Sequence, residues 1–212
     1  MRERPVTCAA RIVVALVPVA LCVAACGCLA IAESGLPEAV DLGIADVAWD
    51  SGRPDLSVGW CAEASIHVAL AYYGIEKTQL EIYRARNPDH ADLYAYEIDL
   101  ALETLGVCTE AWPESQRDLT RFIDWIRHHI ADGTPVLCGV KPYPDEHPEW
   151  SLDHFVLVVG YDQAGLIKNT QLDMDGQIHV QYVDLASTEC SYAFANRQSQ
   201  YFGRAILGLC EE

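Results

Sequence analysis

The chain has 212 residues, 51% of them hydrophobic and 21% charged, with 31 Asp and Glu against 14 Lys and Arg for a formal net charge of −17. That apolar fraction supplies a sizeable core and excludes disorder as the main state. The acidity excludes a nucleic-acid partner, because binding phosphates needs a basic face.

Arg2, Arg4 and Arg11 precede an apolar run from Ile12 to Ala32, a pattern that directs the rest of the chain out of the cytoplasm. Three endings fit residues 1–32. Val23-Ala24-Ala25-Cys26 resembles a lipoprotein signal, which would lipidate Cys26. Ala30-Ile31-Ala32 suits cleavage after small residues, and the run is also long enough to remain as a membrane anchor. Residues 33–54, with Gly, Pro and acidic residues and no sustained period, read as a tether, and 55–212 as the folded domain.

Within the domain, Cys61 to Tyr73 predicts a helix closed by Gly74, with small residues that let it pack closely. Thr78-Gln79-Leu80-Glu81 is a capping box for a second helix through Arg86, stopped by Asn87-Pro88. Tyr96 to Leu105 predicts a third, and Asp118 opens a fourth with Leu119, Phe122, Ile123, Ile126 and Ile130 on one face. The character then changes. Pro135–Val140 and His154–Tyr161 are short apolar runs of the kind central strands carry, followed by Leu166–Asn169, a turn at 173–176, an alternating run from Gln177 to Val183, and Gly203–Leu209. Helices first and strands second, without βαβ alternation, predict an α+β domain with a helical half packed on an antiparallel sheet.

Three residues carry candidate chemistry. Cys61 opens a helix, where unpaired amides and the helix dipole favour a thiolate. His154 opens a strand, and Asn169 ends the next one. A thiolate nucleophile, an imidazole that takes and returns the proton, and an amide that fixes the imidazole tautomer form a triad for acyl transfer. The Cys61 amide would then face the developing oxyanion. Other readings stand beside these: Cys61 as a buried helix cysteine or disulfide partner, His154 as a strand-end histidine bonded to backbone, and Asp162 or Asp173 as the orienting group. His128-His129 are adjacent and face different ways, and His67 lies nearly opposite Cys61, so neither makes a metal site. Asp173-x-Asp175-Gly176 lacks the rest of a calcium loop and reads as a turn. The loop 145–150 either rims the substrate cleft or is a solvated connection.

Gly59-Trp60-Cys61-Ala62-Glu63-Ala64-Ser65, running to Tyr72-Tyr73-Gly74, resembles the nucleophile helix of papain-like cysteine peptidases, in particular the bacteriocin (double-glycine) leader peptidase branch. Gly133-Thr134-Pro135-Val136, Asp153-His154 through Tyr161-Asp162, and Leu166-Ile167-Lys168-Asn169 are similar to the later blocks of that family, in the same order. The likeness spans residues 52 to 209. It implies a papain-like fold and an exported bacterial cysteine peptidase acting on a peptide or protein, with Cys61 as nucleophile, His154 as base and acid, Asn169 as orienter, and neither metal nor organic cofactor. Cys108, Cys138, Cys190 and Cys210 would then be available for two disulfides, leaving Cys61 as the odd thiol. One feature departs from the family: its oxyanion glutamine, about six residues before the cysteine, is replaced near that place by Asp55, which would repel an oxyanion. Ser57 or the Trp60 indole are the substitutes available. The alternatives implied are a catalytically impaired domain that binds peptides or anchors a surface assembly, and an acyltransferase on the same fold.

Overall fold

The computed structural model describes residues 35–50, 59–86, 89–172 and 176–211. The leader with Cys26, Asp55, Ser57, the Asn87-Pro88 stop and Asp173 to Asp175 of the expected turn lie outside the described residues.

Helix α1 (Cys61–Tyr72) is buried almost all round, with Ala62, Ala64, Ile66, Ala69 and Leu70 sealed from solvent. Its alanines allow the close approach to the sheet that a helix of larger residues would prevent. Beyond its end the Gly74 N–H donates to the Ala71 carbonyl at 2.9 Å, and that of Ile75 to Leu70 at 3.0 Å. Helix α2 (Gln79–Arg86) starts on the expected capping box: the Thr78 amide donates to Glu81 at 2.8 Å and the Glu81 amide to Thr78 Oγ1 at 3.2 Å. Helix α3 (Ala95–Thr104) follows, and helix α4 (Leu119–Ala131) is capped by Asp118, which accepts from the Arg121 amide at 3.1 Å.

Among the described residues, seven strands form one antiparallel sheet: β1 (Val40–Asp41), β2 (Val107–Ala111), β3 (Val136–Val140), β4 (His154–Tyr161), β5 (Gly165–Asn169), β6 (Gln177–Gln181) and β7 (Gly203–Leu209). Their spatial order is β2-β7-β3-β4-β5-β6, and β1 pairs with the far end of β4. Both faces are covered, which explains the unbroken apolar sequence of β4. Phe155, Leu157 and Val159 face α1, α2 and α3, while Val156 and Val158 join Phe122, Ile126 and Ile130 of α4 on the other side. Helices α1, α2 and α3 pack on one face of the sheet, and α4 takes the opposite face.

Two local expectations change. The run from Gln177 to Val183 is a strand only to Gln181; Tyr182–Leu185 turns into a short helix, α5, with the Tyr182 amide on the Ala164 carbonyl at 2.9 Å. Residues 35–50, expected as a tether, run against the sheet: Ile44 is buried, and Gly160 leaves room for the chain, since a Cβ there would lie 2.7 Å from the Val40 carbonyl oxygen. Cys108 and Cys210 form a disulfide, Cα atoms 4.9 Å apart, across a sequence separation of 102 residues. A loop of that length is worth about 4–5 kcal/mol in the chain-entropy model. The second bridge does not form through Cys138, which is a sealed free thiol in β3, so among the described residues Cys61 shares the free state with Cys138.

Candidate active site

Cys61 is the first residue of α1 and faces the start of β4. Its Sγ accepts the Phe155 amide N–H at 3.4 Å, so the sulfur lies against the residue that follows His154. Burial pushes the Cys61 thiol up to about 12; the Phe155 amide pulls the other way, Glu63 and Asp92 add to the rise, and the Ala62 amide opposes it. The expected thiolate is therefore not the resting form. Removal from water outweighs the helix start, and the residue is a neutral thiol at pH 7.

His154 is buried, with its ring edge-on to Trp49 at 6.4 Å and to Tyr192 at 6.2 Å between centroids. Its Nε2 lies 2.7 Å from the carbonyl oxygen of Thr170. A carbonyl only accepts, so Nε2 carries the proton, and Nδ1 is the basic nitrogen of the neutral ring. Asn169, expected to do this orienting, is one residue away and otherwise engaged. Its Nδ2 donates to the Ile44 carbonyl at 3.0 Å and its Oδ1 accepts from Gln177 Nε2 at 2.8 Å. It makes no hydrogen bond to His154; it ties β5 and β6 to the 35–50 segment directly beneath the ring's partner.

The donors expected for an oxyanion are committed elsewhere. The Cys61 amide donates to the Gly59 carbonyl at 2.7 Å, and the Trp60 indole N–H to the Ala91 carbonyl at 2.5 Å. The second bond begins a clamp that the sequence did not suggest. Trp60 stacks on Tyr83 at 5.2 Å, the Tyr83 hydroxyl donates to the His90 carbonyl at 2.8 Å, and the Leu93 amide donates to Glu63 Oε1 at 3.0 Å. Residues 90–93 are thus held by residues flanking Cys61. Glu63 is fully buried, and burial pushes its carboxyl up to about 8, so it is neutral at pH 7.

Lys168 supports the opposite wall. It is fully buried, donates to the Tyr192 carbonyl at 2.7 Å and sits 3.7 Å over the Phe194 ring, and burial lowers it to about 7. Beside that wall a cavity of about 440 Å³ is lined by Lys141, Asp145, Pro148, Trp150 and Arg197 among others, so the 145–150 loop borders a cavity that neither Cys61 nor His154 lines. Thr170, Trp49 and the 90–93 segment are the site residues that sequence reasoning missed. The first acts through its backbone, and the others act through long-range contacts that no local pattern encodes.

The same fold recurs in solved structures. The peptidase domain of Streptococcus ComA, a bifunctional ABC transporter of a quorum-sensing pathway, superposes with a TM-score of 0.50 at 16% identity, over 77% of this chain and 96% of that one. Xylellain, a cysteine protease from Xylella fastidiosa, gives 0.52 at 16% identity over 83% and 87% of the two chains. Digestive procathepsin L 3 of the Tenebrio molitor larval midgut gives 0.51 at 11% identity over 83% and 72%. No curated protein sequence matches the chain. The model of the Peptidase_C39 like family matches residues 44–199. The chain belongs to this family and carries a papain-like domain of the cysteine-peptidase type.

Proposed function

We propose that the protein is an exported cysteine peptidase that cleaves a peptide or protein through Cys61 and His154. The observation that carries this reading is the contact of Cys61 Sγ with the amide next to His154, together with a ring whose proton is held on Nε2 by Thr170. Because the resting thiol is neutral, its proton leaves as the bond forms. Sγ attacks the peptide carbonyl carbon, the thiol proton passes to His154 Nδ1, and the imidazolium donates it to the leaving nitrogen as the C–N bond breaks. Water, deprotonated by the same nitrogen, then attacks the thioester and returns the thiol. Asn169 holds the Thr170 region in place. Export is supported by the basic-then-apolar leader and by the Cys108–Cys210 disulfide, a bond of oxidising compartments.

The thiol's raised pKa and the committed Cys61 and Trp60 N–H groups favour a second reading, a peptide-binding domain without turnover. The full chain incubated with a library of internally quenched peptides separates the two. Cleavage with products that have gained water, lost in Cys61→Ala and unchanged by an added primary amine, is expected. Cleavage that survives Cys61→Ala, or products carrying the amine instead of water, would overturn hydrolysis at Cys61. Binding of intact peptides without cleavage would establish the second reading.

A further inference from the structure

The clamp on residues 90–93 sets one side chain against Gly59, two residues before Cys61. Gly59 has φ +92°, and a Cβ placed on it would meet Asp92 Oδ2 at 3.2 Å, Cγ at 3.4 Å and Cβ at 3.5 Å. The Asp92 carboxylate therefore lies across Gly59. Its position is fixed on either side, by the Trp60 indole on Ala91 and by Glu63 on the Leu93 amide. About a third of the side chain remains exposed (32%), so solutes reach it.

Among the described residues this carboxylate has no strong partner: the basic group nearest it there is His90 Nδ1 at 3.9 Å, beyond hydrogen-bond distance, and the other ring nitrogen of His90 is turned to Glu97 at 3.2 Å. Arg86 also faces Glu97, at 3.9 Å. Glu97 is satisfied further by the Tyr94 amide, and Glu63 is neutral at pH 7. Asp92 accepts no hydrogen bond from another residue among the described ones. Partial burial raises its carboxyl, and the carboxylate in turn raises the Cys61 thiol. A half-desolvated negative charge beside the nucleophile opposes the chemistry there unless a cation meets it.

We propose that Asp92 is a specificity-determining residue that pairs with a cationic group of the substrate, a lysine or arginine side chain or a free α-amino group, next to the bond attacked by Cys61. The proposal rests on the peptidase reading for its substrate. The pair replaces water at Asp92 and removes the like charge that disfavours ionised sulfur, so the right substrate also eases proton transfer to His154. Asp92 acts by binding and by its field, without taking part in bond making.

Charged thiol reagents test this without requiring turnover. The full chain is treated with cationic 2-aminoethyl, neutral methyl or anionic 2-sulfonatoethyl methanethiosulfonate. Each forms a mixed disulfide at the sulfur and releases methanesulfinate, and the Cys61 adduct is quantified by mass spectrometry. Rates are divided by those of 2-mercaptoethanol with the same reagent. The cation-to-anion ratio at Cys61 is expected to exceed that of the free thiol on the order of tenfold, to be lost in Asp92→Asn and kept in Asp92→Glu. Equal ratios in the wild type and Asp92→Asn, or a Cys61 closed to all three reagents, would overturn the proposal. Quenched peptides with lysine scanned through each position, with free or acetylated N-termini, then distinguish a side chain from an α-amine. Cleavage without charge preference sinks this inference and leaves the peptidase reading standing. Cationic selectivity at Cys61 without any cleavage does the reverse.

Discussion

At the residue scale, the group that fixes the histidine is a backbone atom. That Cys61 opens a helix and His154 opens a strand was legible in the sequence from the helix and strand signals around them. The Thr170 carbonyl was not legible, since every residue carries one and only the path of β5 aims it at Nε2, 2.7 Å away. The neighbouring asparagine was the visible sign of that place. Its side chain bonds Ile44 and Gln177 and supports the ring from one step behind. On the proposed reading, a positioning residue of this kind costs less to lose than the base itself. Asn169→Ala is expected to lower kcat about tenfold, against 10²–10⁴ for His154→Ala, with the same apparent ring pKa in the pH–rate profile. Losses of equal size, or a displaced pH limb in Asn169→Ala, would return the orienting role to the side chain.

At the scale of elements, α1 does two jobs: it starts at Cys61 and, one residue pair further on, buries Glu63 to hold Leu93. Burial raises Glu63 in the folded protein to about 8 from an ordinary value of 4.5. Folded protein therefore keeps this proton where unfolded chain has lost it, so stability from this group is fully present below pH 4.5 and drains away as the pH rises to about 8. The size is on the order of 5 kcal/mol by linkage. Glu63→Gln keeps an acceptor for the Leu93 amide and carries no charge. Urea unfolding at pH 5, 7 and 9 is expected to show the variant gaining on the wild type with each step from pH 5 to 8 and levelling above it. A stability difference independent of pH would mean that Glu63 is hydrated and ionised. Lys168 works in the opposite direction on the other wall, since its lowered value of about 7 adds stability as the pH rises from there towards 10.5.

At the scale of the molecule, the sequence marked elements whose signals are local. The Thr78–Glu81 box, the Asp118 cap and the β-branched runs of β3 and β4 are all where local chemistry placed them. It missed elements that exist only through partners. Val107–Ala111 is short and polar and becomes β2 by pairing with β7, and Val40–Asp41 becomes β1 by lying on Gly160. The alternation through Ile178, Val180 and Tyr182 suggested too long a strand, because Tyr182 leaves the ladder when its amide reaches Ala164. The placing of α4 on the far face was likewise invisible, since an amphipathic helix fits either side of a sheet. What the whole arrangement achieves is to bring the start of α1 against the start of β4, with Cys61 Sγ on the amide of the residue after His154, which on the proposed reading pairs the thiol with the histidine. That pairing is tested most directly by acylation of the full chain with p-nitrophenyl acetate at neutral pH, followed as p-nitrophenolate release and mapped by mass spectrometry. An acetyl group on Cys61, absent from buried Cys138 and formed 10²–10⁴ times more slowly in His154→Ala, is the expected result. An unmodified Cys61, or one acetylated as fast without the histidine, would contradict it.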